Sequence, residues 1–144
     1  MSEGAAIMLS PIGHVESHFE ESAPVEEMRQ YPSRLVVRQD LVAGLDGLAE
    51  GDRVLVLYHF DRADGYLLRR HPRGDVSRPV RGVFALRSQY RPNPIGATVV
   101  RIESIEDNVL YVTGLDALNC TPLLDIKPYE EVFDAPGEAE PAIP

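Results

Sequence analysis

Apolar and polar positions alternate over short stretches of this chain, and glycine, proline, asparagine or aspartate bounds each stretch. Runs rich in β-branched and aromatic residues fall at Ile7 to Val15, Ser33 to Leu41, Arg53 to Phe60, Tyr66 to Arg70, Gly82 to Arg87, Ala97 to Ile105, Val109 to Gly114 and Leu123 to Ile126, which predicts a strand at each. From Thr98 to Ile105, Val100, Ile102 and Ser104 share one side and Val99, Arg101, Glu103 and Ile105 the other. Asp107-Asn108 then predicts a hairpin turn into the next run. Helical periodicity is weak: Ala23 to Arg29, led by Ser22, and Val42 to Leu48 each predict a turn or two. Many short strands with one or two short helices predict an all-β fold, a closed barrel or a sandwich, since closure removes unpaired strand edges. The stretch from Ala135 to Pro144, rich in Pro, Ala and Glu, reads as a loose tail on a domain formed by residues 1–134.

A chain of 144 residues is one domain's worth and buries enough surface to hold a core without staples. Its single cysteine, Cys120, forms no intramolecular disulfide and points to a reducing compartment; a plain buried thiol is expected there. The N-terminus lacks a cationic run before an apolar stretch, and the longest apolar run, Val54 to Tyr58, is too short to span a bilayer, so a cytoplasmic location is expected. The net charge of -9 argues against indiscriminate nucleic-acid binding. That average conceals an asymmetry. Between Arg62 and Arg91 stand eight arginines against Asp64 and Asp75, a local charge of +6 that leaves -15 for the remainder, so a polyanion would be guided to one face.

The densest chemical signal is the run from Gly82 to Gly96. Pro92 and Pro94 fix the backbone and push Arg91 and Asn93 out of the helical region, which predicts a stiff loop that projects both side chains. Asn pairs with an adenine edge, and Arg stacks on a base or clamps an anion; Arg73 and Arg78 extend the cationic surface. The bland alternative is a rigid connection between strands. In the run from Gly114 to Tyr129, Asp125 and Lys127 alternate with Leu124 and Ile126 and so share one face, either as a coupled pair at a pocket mouth or as a solvated ion pair. Asp116, at a strand end, is placed to accept from ribose hydroxyls or simply to make a turn. His14 and His18 lack a third ligand at metal-finger spacing, and no metal site is expected.

These two blocks resemble the TsaA-like family, in Gly82 to Ala85, Arg87-Ser88, Arg91 to Gly96, Leu115-Asp116, Thr121-Pro122 and Leu124 to Tyr129. Pro11-Ile12-Gly13 resembles the family's opening strand, so the likeness runs to about Phe133. The resemblance implies a small closed β-barrel of short antiparallel strands, working as a homodimer with S-adenosylmethionine near the subunit interface. It also implies methylation of N6 of threonylcarbamoyladenosine beside the anticodon of tRNA. By position within the matched segments, cofactor contacts are implied at Ala23, Pro24 and Val25, at Tyr58 and His59, at Arg87 and Ala97, and at Thr113, Gly114, Leu115 and Asp116. Val25 stands where relatives carry an arginine, and Asn119-Cys120 replaces a frequent Asp-Gly. For the proton that leaves the acceptor nitrogen, Asp125 tuned by Lys127 is the first candidate base, with Tyr129 or His59 next. Arg91, Asn93, Arg73 and Arg78 are the candidate RNA contacts. Two rivals stay open: a methyltransferase acting on a small molecule, and a non-catalytic barrel that binds nucleotides or RNA.

Overall fold

The computed structural model describes residues 4–135 and Gly137. Among these, six strands close an antiparallel barrel: β1 (Gly13–Glu16), β2 (Ser33–Val37), β3 (Arg53–His59), β6 (Ile95–Glu106), β7 (Val109–Thr113) and β8 (Pro122–Pro128), in the order β1-β2-β7-β6-β3-β8 with β8 returning to β1. A two-stranded ribbon of β4 (Arg69–Arg70) and β5 (Arg81–Gly82) stands apart from the barrel sheet. Two single-turn helices, α1 (Val25–Met28) and α2 (Glu131–Asp134), complete the regular structure with three short 3-10 turns. No helix among the described residues is long and apolar enough to cross a membrane. The expected tail lies outside the described residues except for Ala135 and Gly137.

The period-2 alternation decides what fills the barrel. On β6, Gly96, Thr98, Val100 and Ile102 are buried while Val99, Arg101 and Glu103 face out. Val54, Val56 and Tyr58 answer from β3, and Leu35, Leu110, Val112 and Leu123 complete the core. A bulge between Ile102 and Ser104 shifts the register against β7, and the turn at Asp107-Asn108 closes this pair as expected, with Asp107 at φ 54. Asn108 Nδ2 donates to the Val37 carbonyl at 2.7 Å and so ties the hairpin to β2.

Several expected strands are shorter than their apolar runs. Ile7, Met8 and Leu9 are exposed, and pairing starts only at Gly13, after Pro11. The run from Gly82 to Arg87 keeps its first residue in β5 and then coils into a 3-10 turn, because Val83 alone of Val83-Phe84 is buried. Strand β2 ends at Val37, and a 3-10 turn over Gln39–Leu45 takes the place of the helix expected from Val42. Only Arg69–Arg70 of the run from Tyr66 pairs. Beyond these ends the remaining residues make only isolated backbone bonds, such as Arg38 N to the Ile12 carbonyl and Leu67 N to the Tyr90 carbonyl, and propensity without a continuous ladder does not hold a strand.

Candidate active site

One end of the barrel is hollow. A cavity of about 880 Å³ opens where β3 and β6 meet, floored by Tyr58, Gly96, Thr98 and Asp116, walled by the segment from Ala85 to Arg91, and covered by α1 and the Arg70 to Arg73 stretch. Gly96 makes the floor possible. A Cβ there would sit 2.4 Å from the Tyr58 ring, so only glycine lets the ring lie against β6 and carry its hydroxyl to Asp116.

Asp116 is reached from β7 through Gly114, whose φ of 99 turns the chain inward in a conformation that favours glycine. Its two carboxylate oxygens differ. Oδ1 accepts from the Thr98 hydroxyl at 2.7 Å and the Tyr58 hydroxyl at 2.9 Å. Oδ2 has only a long contact, 3.5 Å, from Arg29 of the helix end, and that guanidinium is half-exposed. Burial of the Tyr58 phenol, reinforced by the neighbouring Asp116 charge, pushes its titration far above the ordinary range. The phenol therefore stays protonated and donates.

Two further arginines are spent on structure. Arg87 donates to the Ala97 carbonyl, and Arg91 donates to the carbonyls of Leu86 at 2.9 Å and Ser88 at 3.2 Å. The proline-stiffened loop thus folds Arg91 back as a brace rather than projecting it. Across the mouth, Arg73 grips Glu26 of α1 with two hydrogen bonds of 2.8 and 2.9 Å. The Arg73 guanidinium, first through those hydrogen bonds, holds the Glu26 carboxyl down at about 2.

Of the residues expected to hold cofactor, Ala23, Val25, Tyr58, Arg87, Ala97 and Asp116 line the cavity; Pro24 caps α1 between two of them. Leu115 is buried in the core, Gly114 makes the turn, and Thr113 donates to Glu103 at 2.8 Å, so these three position Asp116 without reaching the hollow. His59 alternates with inward Tyr58 and Phe60 and is not in the lining. Among the expected RNA contacts, Arg73 and Arg91 line the cavity, while Asn93 and Arg78 do not.

The expected base is elsewhere. Asp125 and Lys127 do share a face, joined at 2.9 Å, but their β3 partners Leu57 and Leu55 alternate with the inward residues, which puts the pair on the outside of the barrel. Tyr129 lies under the Arg53 guanidinium, 4.4 Å from its ring centre, at the opposite end of β3 from Tyr58, five residues or about 17 Å along the strand. None of the three lines the cavity. Alternation shows that residues share a face but not which face the closed barrel turns inward. Cys120 is likewise exposed, in a turn at φ 67, rather than buried. Thr98, Arg29 and Asp61, which also line the cavity, went unrecognised; a buried threonine among apolar β6 residues was the available signal for the first, and nothing local marks the other two.

A closed antiparallel barrel with one acid-floored, arginine-rimmed cavity at its end defines a barrel-type small-ligand domain, unlike the α/β sheets that hold most nucleotides. The family model described as the tRNA-methyltransferase O N-terminal domain matches residues 14–135, and the chain belongs to that family. It is 45% identical over 116 residues to a probable S-adenosyl-L-methionine-binding protein of Methanocaldococcus jannaschii, covering 78% of this chain and 91% of that one. An S-adenosyl-L-methionine-binding protein of Archaeoglobus fulgidus is 36% identical over 137 residues, 93% and 97% of the two chains. The crystal structure of TrmO from Pseudomonas aeruginosa superposes with a TM-score of 0.73 at 34% identity; the match covers 97% of this chain and 63% of the solved one.

Proposed function

We propose that this chain is an S-adenosylmethionine-dependent methyltransferase that acts on N6 of threonylcarbamoyladenosine beside the anticodon of tRNA. Family membership and relatives named for S-adenosyl-L-methionine binding support the reading. The observation that carries it is the half-satisfied Asp116: one oxygen saturated by two hydroxyl donors, the other left facing the cavity with a weak partner. Such an acceptor suits the hydroxyls of a ribose and the positive charge of a sulfonium. Arg29 would hold the cofactor's carboxylate, and Met28, Phe60 and Leu118 offer apolar surface for its base. When bound, the cofactor supplies an activated methyl group for in-line displacement. The protein aligns the acceptor and excludes water.

The acceptor nitrogen must lose a proton. The cavity-lining carboxylates are Glu26, Asp61 and Asp116. Glu26 is committed to Arg73, and Asp116 has one oxygen held by Tyr58 and Thr98 and the other assigned above to the cofactor, whereas the Asp61 carboxylate has no hydrogen-bond or ion-pair partner among the described residues. Asp61 replaces Asp125 in the role of base. Asp61→Asn should lower kcat about 100-fold while leaving S-adenosylhomocysteine affinity unchanged by calorimetry; equal kcat would remove Asp61 from the chemistry. The reading itself is tested by transfer of labelled methyl to tRNA that carries the threonylcarbamoyl group. Cofactor binding without labelled tRNA would favour a small-molecule acceptor, and no cofactor binding would favour a non-catalytic module. A homodimer belongs to the same proposal, and light scattering of the purified chain tests it.

A further inference from the structure

Beside the main cavity lies a second hollow of about 460 Å³, rimmed by Tyr66, His71 and Tyr90 with Arg70 and Asp64. Arg70 and Tyr90 line both spaces, so the two are neighbours across a shared wall. That wall is fixed: the Arg70 guanidinium donates to Ser88 Oγ at 3.0 Å and lies 5.4 Å over the Tyr90 ring. His71 Nδ1 pairs with the Arg78 carbonyl at 2.6 Å, which sets its ring as well. Tyr66 is the loose member, 56% exposed.

Among the arginines Arg70 alone lines this hollow, and the eight from Arg62 to Arg91 divide sharply. Arg62, Arg70, Arg73, Arg87 and Arg91 each give their side-chain donors to the protein itself. Arg69, Arg78 and Arg81 make no side-chain hydrogen bond or ion pair among the described residues, and all three belong to the ribbon β4–β5 or its connecting loop and are exposed. Arg81 also sits directly opposite Arg70 in the ribbon register. Like charges facing each other across a strand pair are unfavourable unless an anion lies between or near them. Asp75, the one acid between Arg69 and Gly82, is already occupied by Ser77.

We infer that the second hollow is a nucleobase subsite for the nucleotide flanking the one in the main cavity, with Tyr66 as its stacking face and Arg69, Arg78 and Arg81 neutralising the adjoining phosphates. Aromatic rims beside unpaired arginines are what single-stranded RNA requires: every base has a face to stack, and the backbone carries the charge. Asp64 supplies an acceptor for an exocyclic amine. The inference rests on the RNA-modifying reading and deepens it, since it divides the work between a reacting nucleoside and a gripped neighbour.

The test uses the full chain and a seven-nucleotide single-stranded RNA, with affinity measured by fluorescence anisotropy across a salt series. Tyr66→Ala should weaken binding about 10-fold with the salt slope unchanged, and Tyr66→Phe should bind as the parent does. Replacing Arg69, Arg78 and Arg81 together by Gln should lower the slope by about 2 and leave S-adenosylhomocysteine binding intact. Parent-like affinity of Tyr66→Ala, an unchanged slope in the triple variant, or a change in oligomer mass in place of RNA affinity overturns the subsite. If the parent methylates tRNA and these variants do so equally well, the subsite fails and the enzyme reading stands. If the oligonucleotide binds through Tyr66 and the arginines but no tRNA is methylated, the enzyme reading fails and the subsite stands.

Discussion

At the scale of single residues, the site depends on keeping one carboxylate in a fixed pose. Thr98 is 4% exposed and its hydroxyl is the shorter of the two donors to Asp116 Oδ1. Thr98→Val keeps the shape and removes the donor, so Asp116 gains freedom to swing toward Arg29. An unmade buried hydrogen bond of this kind costs about 1–3 kcal/mol. The expected outcome is roughly a 10-fold loss of S-adenosylhomocysteine affinity by calorimetry, with Thr98→Ser close to the parent. Equal affinity in both variants would mean that Tyr58 alone sets the pose. Arg91 carries the opposite lesson. With its guanidinium committed to the Leu86 and Ser88 carbonyls, Arg91→Ala should loosen the 86–91 loop, seen as faster amide exchange there, and leave the salt dependence of RNA binding untouched.

At the scale of elements, α1 is too short to be stable alone; buried Met28 anchors it, and the Glu26–Arg73 contact ties it across the cavity to the opposite cover. The Glu26–Arg73 pair is exposed, so its worth is small and screened by salt, but it joins two covers of one opening. Its pH behaviour follows from the lowered Glu26 carboxyl. A depressed carboxylate contributes above its ordinary value of 4.5 and loses that contribution as pH falls toward about 2. Protection of the α1 amides should therefore be flat above pH 5 and decline below 4.5, and Glu26→Gln should abolish the decline. The sequence made some of these elements readable and not others. Strand β3, β6 and the turn between β6 and β7 were legible because alternation, a bounded length and Asp107-Asn108 all agree. The shortening of the Gly82 to Arg87 run was not, since a strand needs a facing edge that no local pattern encodes. For the same reason the shared face of Asp125 and Lys127 was readable and its outward direction was not. Asp116, Tyr58 and Arg87 were placed through family likeness, whereas Asp61 and Arg29 come from segments far apart in sequence that only the closed barrel brings to one cavity.

For the molecule as a whole, everything rests on closure, and closure has a narrow seam. Strands β1 and β8 pair over only two positions, Gly13 with Leu123 and His14 with Pro122, against seven between β3 and β6. Pro122 has no N–H to give. The seam is backed by bonds just outside the ladder, from Ile12 N to the Leu123 carbonyl and from Val15 N to the Thr121 carbonyl, each 2.8 Å. Gly13 is where the packing is tightest, because a Cβ there would stand 1.9 Å from the Val36 carbonyl oxygen, a backbone atom that cannot swing aside. Gly13→Ala must therefore push β1 off β2, and β1 is the strand that also meets β8. A forced backbone shift of this sort costs about 3 kcal/mol, which for a chain of this length lowers Tm by roughly 6–12 °C. Opening the seam would also leave the edges of β2 and β8 unpaired, so the variant should aggregate on heating where the parent refolds. Because the cavity is formed mainly by β3, β6, α1 and the Asp116 turn and meets this seam only at Thr121, the folded fraction at low temperature should still bind S-adenosylhomocysteine with parent affinity. A parent-like melting curve would show that β1 yields without cost, and lost affinity in the folded fraction would show that the barrel transmits strain from its seam to its site.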